Sequence, residues 1–228
     1  MSPPVVLESV ELVPVLEVEP QRFATRDRAW PPGSRYELPD EWHRYWLDSL
    51  ADAGVVGLEP LAPGSDHVPT AALAAPVLET VLRAVIGHWS GVETLSDPDG
   101  DPVLNGGLAL RRPGGPVLVE PGCCSDLRTL SDWREAAGYR GAGWKVVWIG
   151  HPWVSVRYQE PWLVLSQRHE GEDPADRWAV RSDELRRAVA AAGAELGRFV
   201  ACLAALLPAL GYREAPEPMA RRLAGLTG

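Results

Sequence analysis

The chain has little cysteine and fewer basic than acidic residues, and both shortages narrow the range of functions to be expected. Three cysteines cannot form the disulfide framework of a small secreted domain, and none stands in a C-x-x-C metal spacing. Lys145 is the single lysine among 22 basic residues, and 31 acidic residues set the formal net charge at -9. Phosphate backbones repel a chain this acidic, so nucleic acid is not an expected partner.

Signals for export and for membrane insertion are also missing. The N-terminus lacks a basic segment, and no apolar run leads to a small-residue cleavage site, so no signal peptide is expected. The most apolar stretch, residues 188–210, contains Glu195, Arg198 and Pro208, which favours a buried helix over a membrane span. The sequence therefore predicts a cytoplasmic protein with no membrane partner, in which the cysteines are thiols.

What remains is the composition of a globular protein with a sizeable core, with 46% apolar and 23% charged residues over 228 positions. Helical and alternating apolar patterns both occur. We expect a single α+β domain over residues 1–228, in which a mostly antiparallel sheet packs against helices. An irregular Pro-rich connection is predicted at residues 20–39, and a short C-terminal tail at residues 212–228, which from Pro216 onward is either an exposed peptide or a frayed short helix.

Turn residues separate the predicted strands. Pro14 interrupts the alternation of residues 5–18, which predicts either an edge strand or two short strands. Later in the chain, Pro and Gly clusters mark the turns between short apolar runs. The predicted strands are 108–111, 117–119, 144–149, 154–158, 162–166 and 178–180, with turns at 97–100 and 112–116 and a short helix at 131–137.

Caps and apolar spacing predict the longer helices. Asp40 is expected to cap a helix that ends at Gly54, and a second helix is expected from residue 70 or 76 to residue 89. Ser182 is expected to cap the longest helix, which reaches about Leu207 and lies across one face of the sheet. Its predicted apolar stripe is Leu185, Val189, Leu196, Phe199, Val200, Leu203 and Leu207.

Tryptophan is abundant, with ten copies against two phenylalanines. An indole combines a large apolar area with a hydrogen-bond donor, so it suits cores and binding surfaces equally. We expect most of the ten to be buried. Trp148, Trp153 and Trp162 stand at strand ends near turns, and together with Glu160 they are the predicted binding residues.

Candidate catalytic residues are Cys123, Cys124 and Asp126, which follow a predicted strand, and His151, which stands in a turn between Gly and Pro. Adjacent cysteines of a strand point to different sides, so they are not expected to share a zinc ion. A catalytic interpretation makes a thiol the nucleophile and His151 the base. The favoured interpretation is structural, because free cysteines are mostly small buried hydrophobes and such a histidine is mostly a hydrogen-bonded structural residue.

Motifs for phosphate and metal binding are absent from the sequence. It contains no G-x-x-x-x-G-K-[ST] loop, no G-x-S-x-G elbow and no pair of histidines four residues apart. No metal and no cofactor is therefore predicted.

Two segments resemble the SMI1/KNR4-like superfamily of bacterial immunity proteins. Residues 38–46 (LPDEWHRYW) are similar to its Leu/Ile-Pro-x-x-Tyr-x-x-Phe opening helix, and residues 104–107 (LNGG) are similar to its Asn-Gly-Gly element. Their order agrees with the family, although the distance between them is longer here. The resemblance implies an α+β fold and a protein that binds and neutralises a partner such as a toxin.

The sequence supports three hypotheses of function. The preferred one is a non-enzymatic protein, an immunity or toxin-neutralising protein, that binds another protein through an acidic, Trp-containing surface. The alternative is a small-molecule enzyme with a Cys/His/Asp site at the end of the sheet. A third makes the chain one subunit of a larger assembly, docked through residues 20–39 and the C-terminal tail. The oligomeric state is not predicted.

Overall fold

The computed structural model describes residues 3–88, 91, 95 and 102–226. The chain divides into two compact units, of which unit 1 contains residues 1–14 and 105–196, and unit 2 contains residues 15–104 and 197–228. One strand and one helix continue from one unit into the other. The single domain stays a prediction, since units that share elements can still unfold together.

The described residues form short strands and longer helices. The strands are β1 (Val5–Leu7), β2 (Glu11–Glu17), β3 (His67–Pro69), β4 (Gly106–Arg111), β5 (Val117–Val119), β6 (Lys145–Val147), β7 (Val154–Gln159), β8 (Trp162–Ser166) and β9 (Asp176–Arg181). The α-helices are α1 (Pro39–Asp52), α2 (Ala75–His88), α3 (Thr129–Gly138), α4 (Ser182–Leu206) and α5 (Pro216–Leu223), with 3-10 turns at Pro20–Arg22, Thr70–Ala72 and Leu207–Leu210.

Unit 1 is built around a five-stranded sheet with the strand order β1-β9-β8-β7-β6. Strands β6 to β9 are antiparallel to their neighbours, whereas β1 lies parallel to β9 at one edge. Helix α3 packs against β4 and β6 and buries Trp133 completely. The α+β class, the mostly antiparallel sheets and the long C-terminal helix are as predicted.

The second sheet has the order β3-β2-β4-β5. Its β4–β5 hairpin is the one predicted from the turn at residues 112–116, with Leu110 opposite Val119. Residues 5–18 form two short strands rather than one edge strand, because β1 and β2 belong to different sheets. The predicted turn at 97–100 lies outside the described residues.

Helix α1 begins earlier than predicted. Pro39 occupies the first turn and Leu38 is the cap, so the assignment of Asp40 as the cap is wrong. Proline suits this position because its missing N–H would have no partner in the helix. Asp40 lies instead in the first turn, where the helix dipole favours a carboxylate. Gly54 follows the helix at φ +77°, a conformation that glycine adopts without strain.

Helix α4 covers the segment that the sequence assigns to the longest helix, and its predicted apolar stripe is buried throughout. Among the described residues, Ser182–Leu210 is the segment long and apolar enough to cross a membrane, and 33% of its most apolar window is buried. The core helix of a soluble protein passes the same test, so length and composition are weak evidence for a membrane span.

Of the two alternatives for the end of the C-terminal tail, the short helix is correct, but one side of this helix is packed and buried. Residues Pro216–Leu223 form α5, and Met219, Ala220 and Leu223 are buried. The Leu104 N–H donates a hydrogen bond to the Leu223 carbonyl at 3.0 Å. The tail packs because its apolar residues, three and four positions apart, fall on one side of a helix. The other irregular segment, residues 20–39, is a loop apart from its first turn, as predicted.

Candidate functional site

One end of the five-stranded sheet carries four rings, those of Trp148, His151, Trp153 and His169, here called the aromatic cluster. The indoles of Trp148 and Trp153 are stacked, with centroids 6.2 Å apart and planes inclined by 24°. His151 stands edge-on to both indoles, at 4.9 and 5.2 Å. His169 meets Trp153 edge-on at 6.0 Å. Aromatic contacts of this kind stabilise beyond the area they bury, so the four rings support one another.

The hairpin of β7 and β8 places His169 in the cluster. Its strands are antiparallel, and just beyond them Trp153 and His169 form a further bridge in which the His169 N–H donates to the Trp153 carbonyl at 3.0 Å. Continuing the register of β7 and β8 would place Trp153 opposite Arg168, so the bridge to His169 is displaced by one residue from that register. His169 was not among the site residues predicted from the sequence, because the strand register alone points to its neighbour Arg168.

Two loops cross beside the cluster, and we call this contact of residues 122–123 with residues 149–151 the loop crossing. The Gly122 N–H donates to the Ile149 carbonyl at 2.6 Å, and the His151 N–H donates to the Cys123 carbonyl at 3.2 Å. A Cβ on Gly122 would lie 2.3 Å from the His151 oxygen, and one on Gly150 would lie 2.3 Å from the Cys123 oxygen. Real Cβ atoms do not come this close to backbone atoms, so both positions require glycine.

The loop crossing brings Cys123 and His151 together through their main chains. The Cys123 Sγ lies 3.7 Å from the carbonyl oxygen of His151, which is a weak contact for a thiol. Cys123, Cys124 and Cys202 are all exposed. The interpretation of these cysteines as buried hydrophobes is therefore wrong, because they lie in an irregular loop and on the exposed side of α4.

Asp126 does not join this pair. Its carboxylate accepts a hydrogen bond from the Arg128 N–H at 2.8 Å and forms an ion pair with the Arg128 guanidinium at 2.7 Å. The side chain of His151 faces the two indoles instead. The hypothesis of a Cys/His/Asp site thus finds two of its members adjacent in the main chain, while the contacts of Asp126 are with Arg128.

A second polar pair is buried beneath the cluster. The Ser155 hydroxyl and the His169 Nε2 are 2.9 Å apart, and the Ser155 N–H donates to the Ser166 hydroxyl at 2.9 Å. Ser155 is 1% exposed and His169 is 5% exposed. The spacing is that of a nucleophile and its base, but no substrate reaches a hydroxyl buried to this degree. The pair therefore serves to hold the His169 ring against Trp153.

The four predicted binding residues do not form one surface. Trp148 and Trp153 lie at the end of the sheet where β7 begins. Glu160 lies in the turn at the other end of β7, and Trp162 begins β8 beside it. Trp148 is 39% exposed, and Trp153 and Trp162 are half-buried. The expectation that most tryptophans are buried is also wrong, because the described tryptophans that are buried are Trp42, Trp46 and Trp133.

Acidic side chains of α3 stand next to the aromatic cluster. The Asp132 carboxylate accepts a hydrogen bond from the main-chain N–H of Trp148, and burial nevertheless raises the pKa of Asp132 above its ordinary value. Glu135 forms an ion pair with Lys145 at 2.6 Å, and this pairing lowers the pKa of Glu135. The neighbouring Val146 is 49% exposed on β6, which is the last strand of its sheet. An apolar strip with acidic neighbours thus lies at this edge.

Unit 2 has an aromatic surface of its own, which the sequence analysis missed. Trp30 is 63% exposed and packs against Trp42 at 5.6 Å and Tyr45 at 6.3 Å. These rings flank a groove of about 510 Å³, lined in part by Pro31, Tyr45 and Arg44, which we call the Trp30 groove. Its signal in the sequence is a tryptophan inside a Pro-rich connection, where an exposed indole has no core to fill.

Charged side chains hold the irregular connection that carries Trp30. Arg28 makes an ion pair with Asp52 at 2.8 Å, and this contact raises the pKa of Arg28 and lowers that of Asp52. Arg35 pairs with Asp66 at 2.5 Å and stacks over the Trp42 ring at 4.8 Å. Burial raises the pKa of Asp66 to about 6, against the opposing effect of Arg35.

Metal-ligating groups are scarce in the described residues, which contain no group of three or more His, Cys, Asp or Glu side chains placed to hold a metal ion. Comparison of the chain with family models, with curated proteins and with solved structures gives no match. The resemblance to the SMI1/KNR4-like superfamily therefore stays a prediction. Its two segments lie at the start of α1 and around the start of β4.

Proposed function

We propose that the chain is a non-enzymatic protein-binding protein, and that its partner contacts the surface formed by Val146, Trp148, His151 and Trp153. The observation that carries the proposal is the half-exposed Trp148, stacked on Trp153 and held by the loop crossing. A large aromatic side chain that is already ordered loses little conformational freedom on binding, which is the property of interface anchors.

The edge strand beside Trp148 supports the same surface. β6 is the outermost strand of its sheet, and Val146 and Trp148 are two residues apart, so both exposed side chains point to one side. The apolar pair can be covered by a partner, while the ion pair of Glu135 with Lys145 lies at the rim of the interface. The surface therefore suits a partner with an apolar centre and a polar border.

Within this class, an immunity or toxin-neutralising role is the narrower proposal. The net charge of -9 would complement a toxin whose substrate is a nucleic acid, because such a toxin presents a basic surface. The sequence resemblance to bacterial immunity proteins points the same way. The proposal places the protein in the cytoplasm, with no cofactor, nucleic acid or membrane in its action.

The test is native mass spectrometry of the tagged chain recovered from a lysate of its own source. Wild type is expected to carry a stoichiometric protein companion, and Trp148→Ala is expected to lose it because the anchor is removed. Trp30→Ala is the matched control, since it removes an exposed indole from the other unit. Val146→Asp tests the edge strand without removing an aromatic contact.

Retention of the companion by Trp148→Ala and Val146→Asp would contradict the proposed surface. A wild-type chain that carries no protein, but holds a small molecule, would contradict the whole class. Thermal unfolding of each variant establishes that a lost companion reflects a lost contact rather than a lost fold.

The second candidate function is an enzyme that uses Cys123, and the adjacency of Cys123 and His151 at the loop crossing favours it over other catalytic sites. An activated thiol reacts as a thiolate below the ordinary thiol pKa of about 8.5. The rate of alkylation by iodoacetamide, followed against pH for each cysteine by mass spectrometry, decides the matter. If Cys123 reacts no faster at neutral pH than Cys202, catalysis by this thiol is excluded.

A further inference from the structure

Cys123 and Cys124 are two neighbouring thiols that both reach solvent. In an extended strand, successive side chains point to opposite sides. That rule does not apply here, because Cys124 has φ +60°, a left-handed conformation. Cys123 and Cys124 are therefore not forced to opposite sides by a strand, and the expectation that they cannot share a ligand loses its basis.

The conformation of Cys124 is held by its surroundings. A residue other than glycine is strained in the left-handed conformation, and Cys124 is the residue in that conformation among those that the structure describes. On its other side, the Cys123 carbonyl accepts a hydrogen bond from the His151 N–H, and Gly122 and Gly150 allow the two main chains to touch. The loop thus presents a pair of thiols on a rigid support.

Neither thiol is engaged by a strong ligand of the protein. The sulfur contact of Cys123 is the weak one to the His151 carbonyl, and the nearby Asp126 carboxylate is bound to Arg128. A disulfide between the two cysteines is disfavoured, because adjacent Cα atoms are about 3.8 Å apart and disulfides need roughly 4.4–6.8 Å. The pair is therefore available as a dithiol.

We propose that Cys123 and Cys124 form a vicinal dithiol site that binds one trivalent thiophilic metalloid, of which arsenic(III) is the example. Soft ions prefer thiolate sulfur over oxygen and nitrogen. Once the first sulfur is bound, the second bond closes within the molecule at an effective concentration that a free thiol in solution does not reach. With phenylarsine oxide, two S–H bonds and the As–O bond break, two As–S bonds form, and the oxygen leaves as water without any change of oxidation state.

The test uses phenylarsine oxide and the full-length chain in the presence of excess 2-mercaptoethanol, which removes arsenic from single thiols. Wild type is expected to retain one phenylarsenic group by intact mass and to lose two of its three titratable thiols. Cys202→Ser is the matched control, because it removes an exposed cysteine that has no neighbour, and it is expected to bind as wild type does.

Cys123→Ser and Cys124→Ser are each expected to weaken retention about a hundredfold or more, since either change removes the intramolecular second bond. Retention unchanged in either variant, or no retention by wild type, would overturn the proposal. Loss of retention in Cys202→Ser would also overturn it, because the arsenic would then bridge a different pair. The proposal is independent of partner binding, which the Trp148→Ala experiment tests separately.

Discussion

The two aromatic surfaces of this protein are ordered by different forces. In unit 1, Trp148 and Trp153 stand on a loop that is locked by main-chain hydrogen bonds at the loop crossing. In unit 2, Trp30 stands on an irregular connection that the ion pair of Arg28 with Asp52 helps to hold. Both arrangements expose an indole on a loop, and they differ in what has to fail before that indole becomes mobile.

The aromatic cluster depends on the close fit of two main chains, whereas the Trp30 groove depends on charged side chains. Main-chain hydrogen bonds between closely approaching loops depend on the absence of a Cβ, and they are nearly indifferent to pH and salt. Ion pairs between side chains are weakened by salt and by protonation of the carboxylate. A Cβ added at the loop crossing should therefore disturb the aromatic cluster, whereas changes of salt and pH should disturb the Trp30 groove.

The largest expected effect is that of Gly122→Ala. Its Cβ would lie 2.3 Å from the carbonyl oxygen of His151, and a main-chain atom cannot move away as a flexible side chain can. We expect a loss of about 3 kcal/mol in the free energy of unfolding, measured by urea denaturation. Gly138→Ala is the matched control, because a Cβ there meets no atom within 4 Å and the residue is helical. If the two variants are equally stable, the loop crossing does not have the described geometry.

The next effect concerns pH and unit 2. Because the folded pKa of Asp66 is about 6, the folded state binds a proton more tightly than the unfolded state does. The stability this group contributes is complete below pH about 4 and is lost as the pH rises through about 6. At about 1.4 kcal/mol per pKa unit, the loss is about 3 kcal/mol or less.

Asp66→Asn removes the titrating carboxyl, so comparing the pH dependence of wild type with that of Asp66→Asn isolates the contribution of Asp66. Between pH about 4 and pH about 7, urea denaturation should show wild type losing more stability than Asp66→Asn by that amount. Parallel pH dependences of the two proteins would mean that Asp66 is ionised throughout and that Arg35 outweighs its burial.

A smaller effect, of opposite sign, is expected for Cys124→Gly. Glycine adopts φ +60° freely, so the substitution should stabilise the protein by about 1 kcal/mol in thermal or urea unfolding. Cys124→Ser keeps the Cβ and the strain, and it should leave stability unchanged. A stabilisation by serine equal to that by glycine would point to the thiol rather than the backbone.

The smallest expected effect is local. Asp52→Asn removes the charge that holds Arg28, so residues 20–39 should open more often and tryptic cleavage at their arginines should become a few-fold faster. In wild type, salt should raise the same cleavage rate, whereas in the variant salt should change it little. Equal salt responses in both proteins would show that packing, rather than charge, anchors Trp30.

Most elements of the fold were predictable because their signals are local. The hairpin of β4 and β5 follows from a Pro-Gly turn, and the stripe of α4 follows from helical spacing. The packing of the helix at Pro216–Leu223 was not predicted, because eight residues that include two prolines have little helical preference of their own. The burial of its apolar side supplies the stability that the local sequence does not.

The candidate site was predictable only in part. Cys123 and His151 were selected together by residue type, and their adjacency depends on a contact across 28 positions that no spacing rule contains. The separation of Trp162 from Trp153 was accessible from the sequence, because the two residues stand before and after the predicted strand 154–158. The exposure of Cys123 and Cys124 was not, since these thiols lie in an irregular loop that has no periodic pattern.

The two glycines of the loop crossing depend on the same close approach of two loops. A Cβ on either glycine would lie 2.3 Å from a main-chain oxygen of the opposite loop. Once either position acquires a side chain, the loops separate and the other glycine no longer faces a crowded neighbour. The destabilisation by the double substitution of Gly122 and Gly150 should therefore be smaller than the sum of the two single effects, and what the Gly150 change still adds is the strain of a side chain at φ +83°.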